Sequence, residues 1–324
     1  LNRGHSLALA MEKWQRAGLW VVTRSDPEYP RRLKKRLKTD SPPVLFGCGN
    51  KALLNVSGLA VIGSRNASAS DLAFTDQVGA KAASEGVAIV SGGARGVDEA
   101  AMQGAIKQGG AVIGVMADSL LKAATSSKWR KGLMDGHTVL ISPFYPESGF
   151  NAGNAMARNK YIYCLADSSL VIHSGKKGGT INGAEENLKK AWVPLWVKHT
   201  TDKDAANADL VVKGGRWLEA DAYSFTIADL MSHEGCGVNH AKEEQTDLFS
   251  MLSQPELFTE TEPETAVYDV ARDSEVPEQW VDIDTTKERH IENEAALSNY
   301  IDFYQLFTTE LQWLAKVPVS VDEL

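Results

Sequence analysis

Cysteine is scarce: Cys48, Cys164 and Cys236 are the only three in 324 residues, they lie far apart, and none forms a CxxC pair. An odd, scattered set supports neither a disulfide framework nor a thiolate zinc site. The seven histidines never fall at HxxxH or HExxH spacing, so no metal site is indicated. No apolar run reaches membrane-spanning length, and the start LNRGHSLALAMEKW brings in Glu12 and Lys13 too early for an export signal. The expectation is a cytoplasmic protein with no membrane partner. Two nucleotide signatures are also missing, the GxxxxGK[ST] loop and a GxGxxG turn with a downstream ribose-binding acid. Ser64 and Ser91 have no base evident in the sequence, and a serine in a Gly-rich loop more often donates to phosphate than attacks a carbonyl. No catalytic residue and no cofactor is therefore assigned.

What is present begins with an uneven charge. The net charge is −8, but residues 1–240 carry 29 Lys and Arg against 22 Asp and Glu, while residues 241–300 carry 4 against 16. The body is mildly basic and the acidity sits in a late segment, so a sequence pI of about 5.5 does not exclude a polyanionic ligand.

Along the chain, residues 1–48 read as a small helical lead-in. An amphipathic helix (Leu7, Leu9, Ala10, Trp14, Ala17) precedes a short apolar stretch, Leu19–Val22, the turn-rich SDPEYP and a basic helix from Arg31 to Lys38. From 49 to 235, short apolar runs at 58–63, 86–92, 110–116, 137–142, 168–173 and 193–197 alternate with helical patterns at 71–84, 97–108, 119–134, 152–165 and 182–190. Near-continuous Val/Ile/Leu runs at that spacing predict β-α-β crossovers, hence an α/β fold with a doubly wound, Rossmann-like parallel sheet. A seventh strand is expected at 208–215. Residues 236–294, acidic and rich in Pro, Thr and Glu, with scattered Leu248, Phe249 and Trp280, read as a linker. Helical periodicity returns over 295–324, and the chain, which starts at Leu and ends on LAKVPVSVDEL, looks cut off.

Three loops follow strands and precede helices: Gly63-Ser64-Arg65-Asn66-Ala67-Ser68, Ser91-Gly92-Gly93-Ala94-Arg95-Gly96-Val97-Asp98, and Gly178-Gly179-Thr180-Ile181-Asn182. Small residues there let backbone N–H groups at helix N-termini approach an anion, and in open α/β sheets ligands lie outside the carboxyl ends of the strands. Arg65 and Arg95 place planar, permanently charged forks inside two of these loops. Two readings stand for Arg95: a phosphate contact, or an ion pair with Asp98. Arg158, Asn159 and Lys160 open an apolar stretch, with Arg158 and Lys160 expected on its polar side, as ligand contacts or as a solvated face. Lys176 and Lys177 precede the third loop as added charge or plain turn lysines. Phe144, Tyr145 and Tyr161 are candidates for base stacking or for core.

In order and spacing, Gly63-Ser-Arg-x-x-Ser68, Val90-Ser-Gly-Gly-Ala-Arg-Gly-Val-Asp98, Gly109-Gly-Ala-Val-Ile-Gly-Val115, Arg158-Asn-Lys160 and Gly179-Thr180 resemble the DprA/Smf family of DNA-processing proteins, as do Asp26-x-x-Tyr29-Pro30 and Pro43-Val-Leu45. The resemblance covers about residues 20–200. It implies an extended Rossmann fold, single-stranded DNA bound at these loops, a homodimer, delivery of DNA to the RecA recombinase, and a winged-helix unit after the Rossmann domain. The chain departs from the family at Met102, where a His is common, at His173 in place of Glu, at Met116-Ala-Asp118-Ser119-Leu120, and at Lys160 in place of Arg. These departures suggest a divergent branch, with an antitoxin acting on a partner toxin in a defence module as the alternative. The related LOG-type phosphoribohydrolases leave a second alternative, a nucleotide-binding module. They carry a Glu two residues after the Thr, whereas Asn182 here can neither act as general base nor stabilise a cation by charge.

Overall fold

The computed structural model describes residues 2–218 and 224–231. The expected linker and C-terminal helical segment, with Leu248, Phe249, Trp280 and Cys236, lie outside them.

Among the described residues, nine strands form one sheet in the order β1-β2-β6-β5-β4-β3-β7-β8-β9. They are β1 (Leu19–Thr23), β2 (Val44–Gly49), β3 (Gly58–Ile62), β4 (Ala88–Ser91), β5 (Val112–Val115), β6 (Thr138–Ser142), β7 (Ser168–Val171), β8 (Leu195–Lys198) and β9 (Arg216–Leu218). The run from β6 to β9 is parallel, and β1 and β2 add an antiparallel edge, β2 pairing directly with β6. The helices are α1 (Asn2–Arg16), α2 (Arg31–Leu37), α3 (Ala69–Ser84), α4 (Val97–Lys107), α5 (Leu120–Thr125), α6 (Ser127–Met134), α7 (Ala152–Ala157), α8 (Asn159–Leu165), α9 (Gly179–Lys190), α10 (Asn207–Val212) and α11 (Ile227–Met231).

The apolar runs are continuous because both faces of the sheet are covered. On one face Leu59, Val61, Ile89, Val112 and Leu140 pack against α1, α3, α4, α5, α6 and α11. On the other, Ala60, Ile62, Val90, Ile113 and Ile141 pack against α2, α8, α9 and α10. The lead-in is thus tied to the body: Trp14 of α1 is buried against Phe46 of β2, with ring centroids 5.4 Å apart. Leu9 departs from the expected apolar face of α1 and is exposed.

One predicted strand is a helix. Residues 207–212 coil as α10, and the ninth strand begins at Arg216. A parallel β8–β9 pair needs a crossover element between its strands, and α10 supplies it. Buried Asn207 anchors that helix: its Nδ2 donates to the carbonyls of Ile172 at 3.0 Å and Lys198 at 2.8 Å, while its Oδ1 accepts from Ser174 N–H at 2.9 Å. The pattern at 152–165 likewise breaks into α7 and α8 at Arg158.

The strand order reverses between β3 and β7. From β3 the chain winds outward through β4, β5 and β6, and from β7 it winds the other way through β8 and β9. The crevice at the carboxyl ends of β3 and β7 is the switch point where sheets of this kind hold ligands.

Candidate functional site

All three Gly-rich loops reach that end of the sheet, and the first is bonded to the second and to the segment that follows β7. Ser64 N–H donates to the carbonyl of His173, beyond β7, at 2.8 Å, and Val97 N–H at the start of α4 donates to the carbonyl of Ser64 at 3.4 Å. Gly63 has to be glycine because a Cβ there would lie 2.6 Å from a methyl of Val97. Gly96 sits at φ 97°, a conformation L side chains rarely adopt, and its Cα faces Ser64 O, 2.6 Å from where a Cβ would stand. These two glycines seat the first loop on the second. Gly93 is a further left-handed position, at φ 64°.

Arg158 lies buried beneath the loops, as do Asp98, Asn159 and Ser91. It stands at the α7–α8 junction with its side chain 5% exposed, facing Asp98 (6% exposed) at 3.4 Å. Its Nη1 donates to Val115 O at the end of β5 at 2.5 Å and to the carbonyl of Gly92, and its Nε donates to Asn159 Oδ1 at 3.0 Å. Backbone N–H groups of Gly63, Ala94 and Gly92 point at the Asp98 carboxylate. Burial pushes the Asp98 carboxyl up and the Arg158 guanidinium down; each group's charge opposes the other's shift, and the N–H groups hold the carboxylate. Asn159 Nδ2 completes the network by donating to Gly179 O in the third loop at 2.9 Å. One residue pair therefore joins loop one, loop two, the end of β5 and, through Asn159, loop three.

This placement corrects several expectations. Arg158 is not on a polar helix face, and Asp98 pairs with Arg158 rather than with Arg95. Ser91 is fully buried, its hydroxyl donating to Val61 O at 2.7 Å, because it is the last residue of a strand covered on both faces. Ser68 caps α3 in a reciprocal box with Asp71. Ser64 Oγ accepts from Asn66 N–H at 3.1 Å and shapes the first loop. Gly92 is closed off by the Arg158 guanidinium, which occupies the space a Cβ would need. Met102 is core, beside Gly114 on α4's sheet-facing side, and does not frame the loops. Phe144 and Tyr161 are buried, and Tyr145 packs edge-on to Trp14 at 5.5 Å.

What stays open to solvent is a rim of cations and apolar groups. Arg65 and Arg95 are exposed, with no ion pair among the described residues. Lys160 lies over Tyr161 at 5.2 Å and is half-buried. Lys177 is exposed, as is Lys176, which lies 3.8 Å from Asp204. Gly179 and Thr180 open the twelve-residue α9, whose N-terminal N–H groups face the same end. His173 Nε2 pairs with Asp202 Oδ2 at 2.9 Å beside them.

The sequence reading missed Phe150. The segment after β6 crosses the loop end of the sheet and sets this ring, 60% exposed, 5.0 Å from the Arg65 guanidinium. Met156 on α7 is exposed nearby, its side chain close to Gly179. The signal was an aromatic alone in a polar, Gly-bearing loop, PESGFNAG, with no apolar neighbours to pack it.

Among the described residues no group of acids, histidines and cysteines could hold a metal ion. Nor is any of their helices long and apolar enough to cross a membrane.

A family model, DNA recombination-mediator protein A, matches residues 20–223. The DNA processing protein DprA of Bacillus subtilis is 26% identical over 186 residues, 57% of this chain and 62% of the relative. A DprA of Mycobacterium tuberculosis is 28% identical over 54% of this chain and 48% of the relative, so the chain spans about half to three fifths of these relatives' length. The X-ray structure of DprA from Streptococcus pneumoniae superposes with a TM-score of 0.56 at 22% identity, over 64% of this chain and 74% of that one. DprA from Helicobacter pylori, described for its single-stranded DNA binding mode, gives a TM-score of 0.54 at 22% identity over 63% and 93%. With the switch-point loops in place and a family model covering well over half its residues, the chain belongs to the DprA/Smf family of DNA recombination mediators.

Proposed function

We propose that the chain binds single-stranded DNA across the loops at the carboxyl ends of β3, β4 and β7 and serves DNA recombination there. The observation that carries this reading is the Arg65–Phe150 pair, an exposed guanidinium over an exposed ring at the switch point. Arg65 and Arg95 supply phosphate contacts, the N-terminus of α9 adds backbone donors, and Phe150 offers a flat face to a base. Only an unpaired strand presents base faces to such a ring, so single strands are favoured over duplex. The family's description as a recombination mediator supports handing the strand on to a RecA-type recombinase. A homodimer would present two such surfaces.

The test is a titration of equal-length single- and double-stranded oligonucleotides at several salt concentrations. Affinity for the single strand is expected to be the higher and to fall steeply with salt, and Arg95→Ala to lower the log–log slope by roughly 0.7 to 1. Equal affinity for duplex, or an Arg95→Ala protein that binds normally, sinks the reading. The proposed role includes no covalent step. The position two residues beyond Thr180 is the exposed Asn182, with no carboxylate to serve as base. Release of free base from AMP would overturn that part.

A further inference from the structure

The sequence places six basic residues among the eight from Arg31 to Lys38, and the loop site uses none of them. In the fold these cations divide into two sets. The inner pair is committed to packing: Arg32 Nη1 donates to both oxygens of Asp167 at 2.8 and 2.6 Å, and Arg36 Nη1 donates to Cys164 O at 2.9 Å and to Ala166 O, where α8 ends. The outer set, Arg31, Lys34, Lys35 and Lys38, is exposed and forms no ion pair among the described residues. Lys34 Nζ donates only to a backbone carbonyl, that of Arg24, at 2.9 Å. The acids of this stretch do not balance it. Asp26 accepts from the N–H of Thr23 at 2.7 Å and from its hydroxyl at 3.1 Å, which leaves Glu28 and Asp40 exposed against four outer cations.

This face is connected to the loops by α8. That helix starts at Asn159, bonded to the third loop, and ends at the carbonyls that Arg36 grips, about 10 Å further on for seven residues. Lys160 stands on the first turn of α8, half-buried over Tyr161, and at the far end Arg36 of α2 lies 4.0 Å from Asp167. α2 has no aromatic residue, so its exposed cations offer contacts to phosphate rather than a ring on which a base would stack.

We propose that the outer face of α2 is a second, sequence-blind contact for the phosphate backbone of a single strand that leaves the loops and passes Lys160. The inference rests on the loop reading above, and a length series separates the two. Binding to the full chain would be followed by anisotropy with oligothymidylates of about 6 and about 25 nucleotides, short and long relative to typical single-strand site sizes. The variant is Arg31→Gln, Lys35→Gln and Lys38→Gln together, all exposed positions, so folding is preserved.

The expected result is short-oligomer affinity within about twofold of the unaltered protein, and long-oligomer affinity at least tenfold lower at low salt. The salt slope for the long oligomer would fall by roughly 2, the value for three phosphate contacts on a single strand. Unchanged long-oligomer binding, or an equal loss at both lengths, overturns the α2 site while leaving the loops standing. If the unaltered protein binds neither oligomer, the loop reading fails and the α2 site fails with it.

Discussion

Arg158 and Asp98, sixty residues apart in sequence, meet at 3.4 Å with both side chains almost fully buried, and the candidate loops are built around that meeting. A buried ion pair is a weak source of net stability, but removing one partner strands the other's charge in a dry interior, at a cost of about 3–5 kcal/mol. Arg158→Ala and Asp98→Ala are therefore each expected to lower the urea midpoint strongly. The double variant should cost less than the sum of the two, because neither charge is then left alone. Equilibrium unfolding of the three proteins measures the coupling directly, and strict additivity would mean the pair does not act as a unit.

Gly92 tests the same network from the backbone side. Its missing Cβ is the space that the Arg158 guanidinium fills. Gly92→Ala is expected to push the guanidinium off Gly92 O and Val115 O and to destabilise by about 1–3 kcal/mol, the usual range for overpacking a core. Gly86→Ala is the control, since a Cβ there meets nothing within 4 Å. At φ 71° its cost is backbone strain alone, so a Gly92→Ala loss no larger than this one would show that Arg158 adjusts freely.

How far the sequence could be read follows from where its information lies. The six central strands were legible because covering both faces of a sheet writes itself as unbroken Val/Ile/Leu runs. α10 was not legible: Leu210 and Val211 look like strand residues, and what coils them is the side chain of Asn207 reaching Ile172 and Lys198, contacts 35 and 9 residues away. The loops were legible from their small residues, but which side chains face solvent was not. Ser91 and Arg158 look like ligand contacts in sequence. Their partners, the Val61 carbonyl for Ser91 and Asp98 for Arg158, lie 30 and 60 residues away, outside any local window. Phe150 was hidden for the opposite reason, since its importance comes from Arg65, which the chain brings near it only after crossing three strands.

Phe150 carries the most direct functional prediction. Base stacking on an aromatic contributes about 1–3 kcal/mol per base by alanine substitution. Phe150→Ala is expected to weaken single-strand binding by roughly 5- to 150-fold, with little change in stability because the ring is already 60% exposed. Phe150→Trp should restore binding, whereas Phe150→Leu should not, since it keeps apolar bulk without a π face. Anisotropy titrations of the three variants would decide, and full recovery with leucine would make the contact merely hydrophobic.

The thiols of Cys48 and Cys164 are both pushed up to about 12 by burial. At neutral pH almost none of either is thiolate, the form that reacts. Brief alkylation of the native protein followed by peptide mass spectrometry is expected to leave both unmodified, and the same treatment in denaturant to modify both. Rapid native labelling of Cys164 would show that α2 opens away from α8.

The last prediction concerns pH and the seating of α1. Glu147, in the segment leading to Phe150, accepts from Lys13 Nζ at 2.5 Å and from Trp14 Nε1 at 3.0 Å, and Lys13 beside it holds its carboxyl below the usual glutamate range. A carboxyl depressed in the folded state contributes stability that is fully present above its unfolded value, near 4.3, and is lost as pH falls through the lower folded value. Both partners are partly exposed, with side chains 57% and 27% accessible, so solvent screening keeps the contribution under about 1 kcal/mol. Glu147→Gln keeps an acceptor for Trp14 and removes the charge. Its deficit against the unaltered protein should be visible in urea unfolding at neutral pH and should shrink as pH falls below the unfolded value and through the lower folded one, where the glutamate too becomes uncharged. A deficit that stayed constant across that range would assign the contact to hydrogen bonding and packing alone.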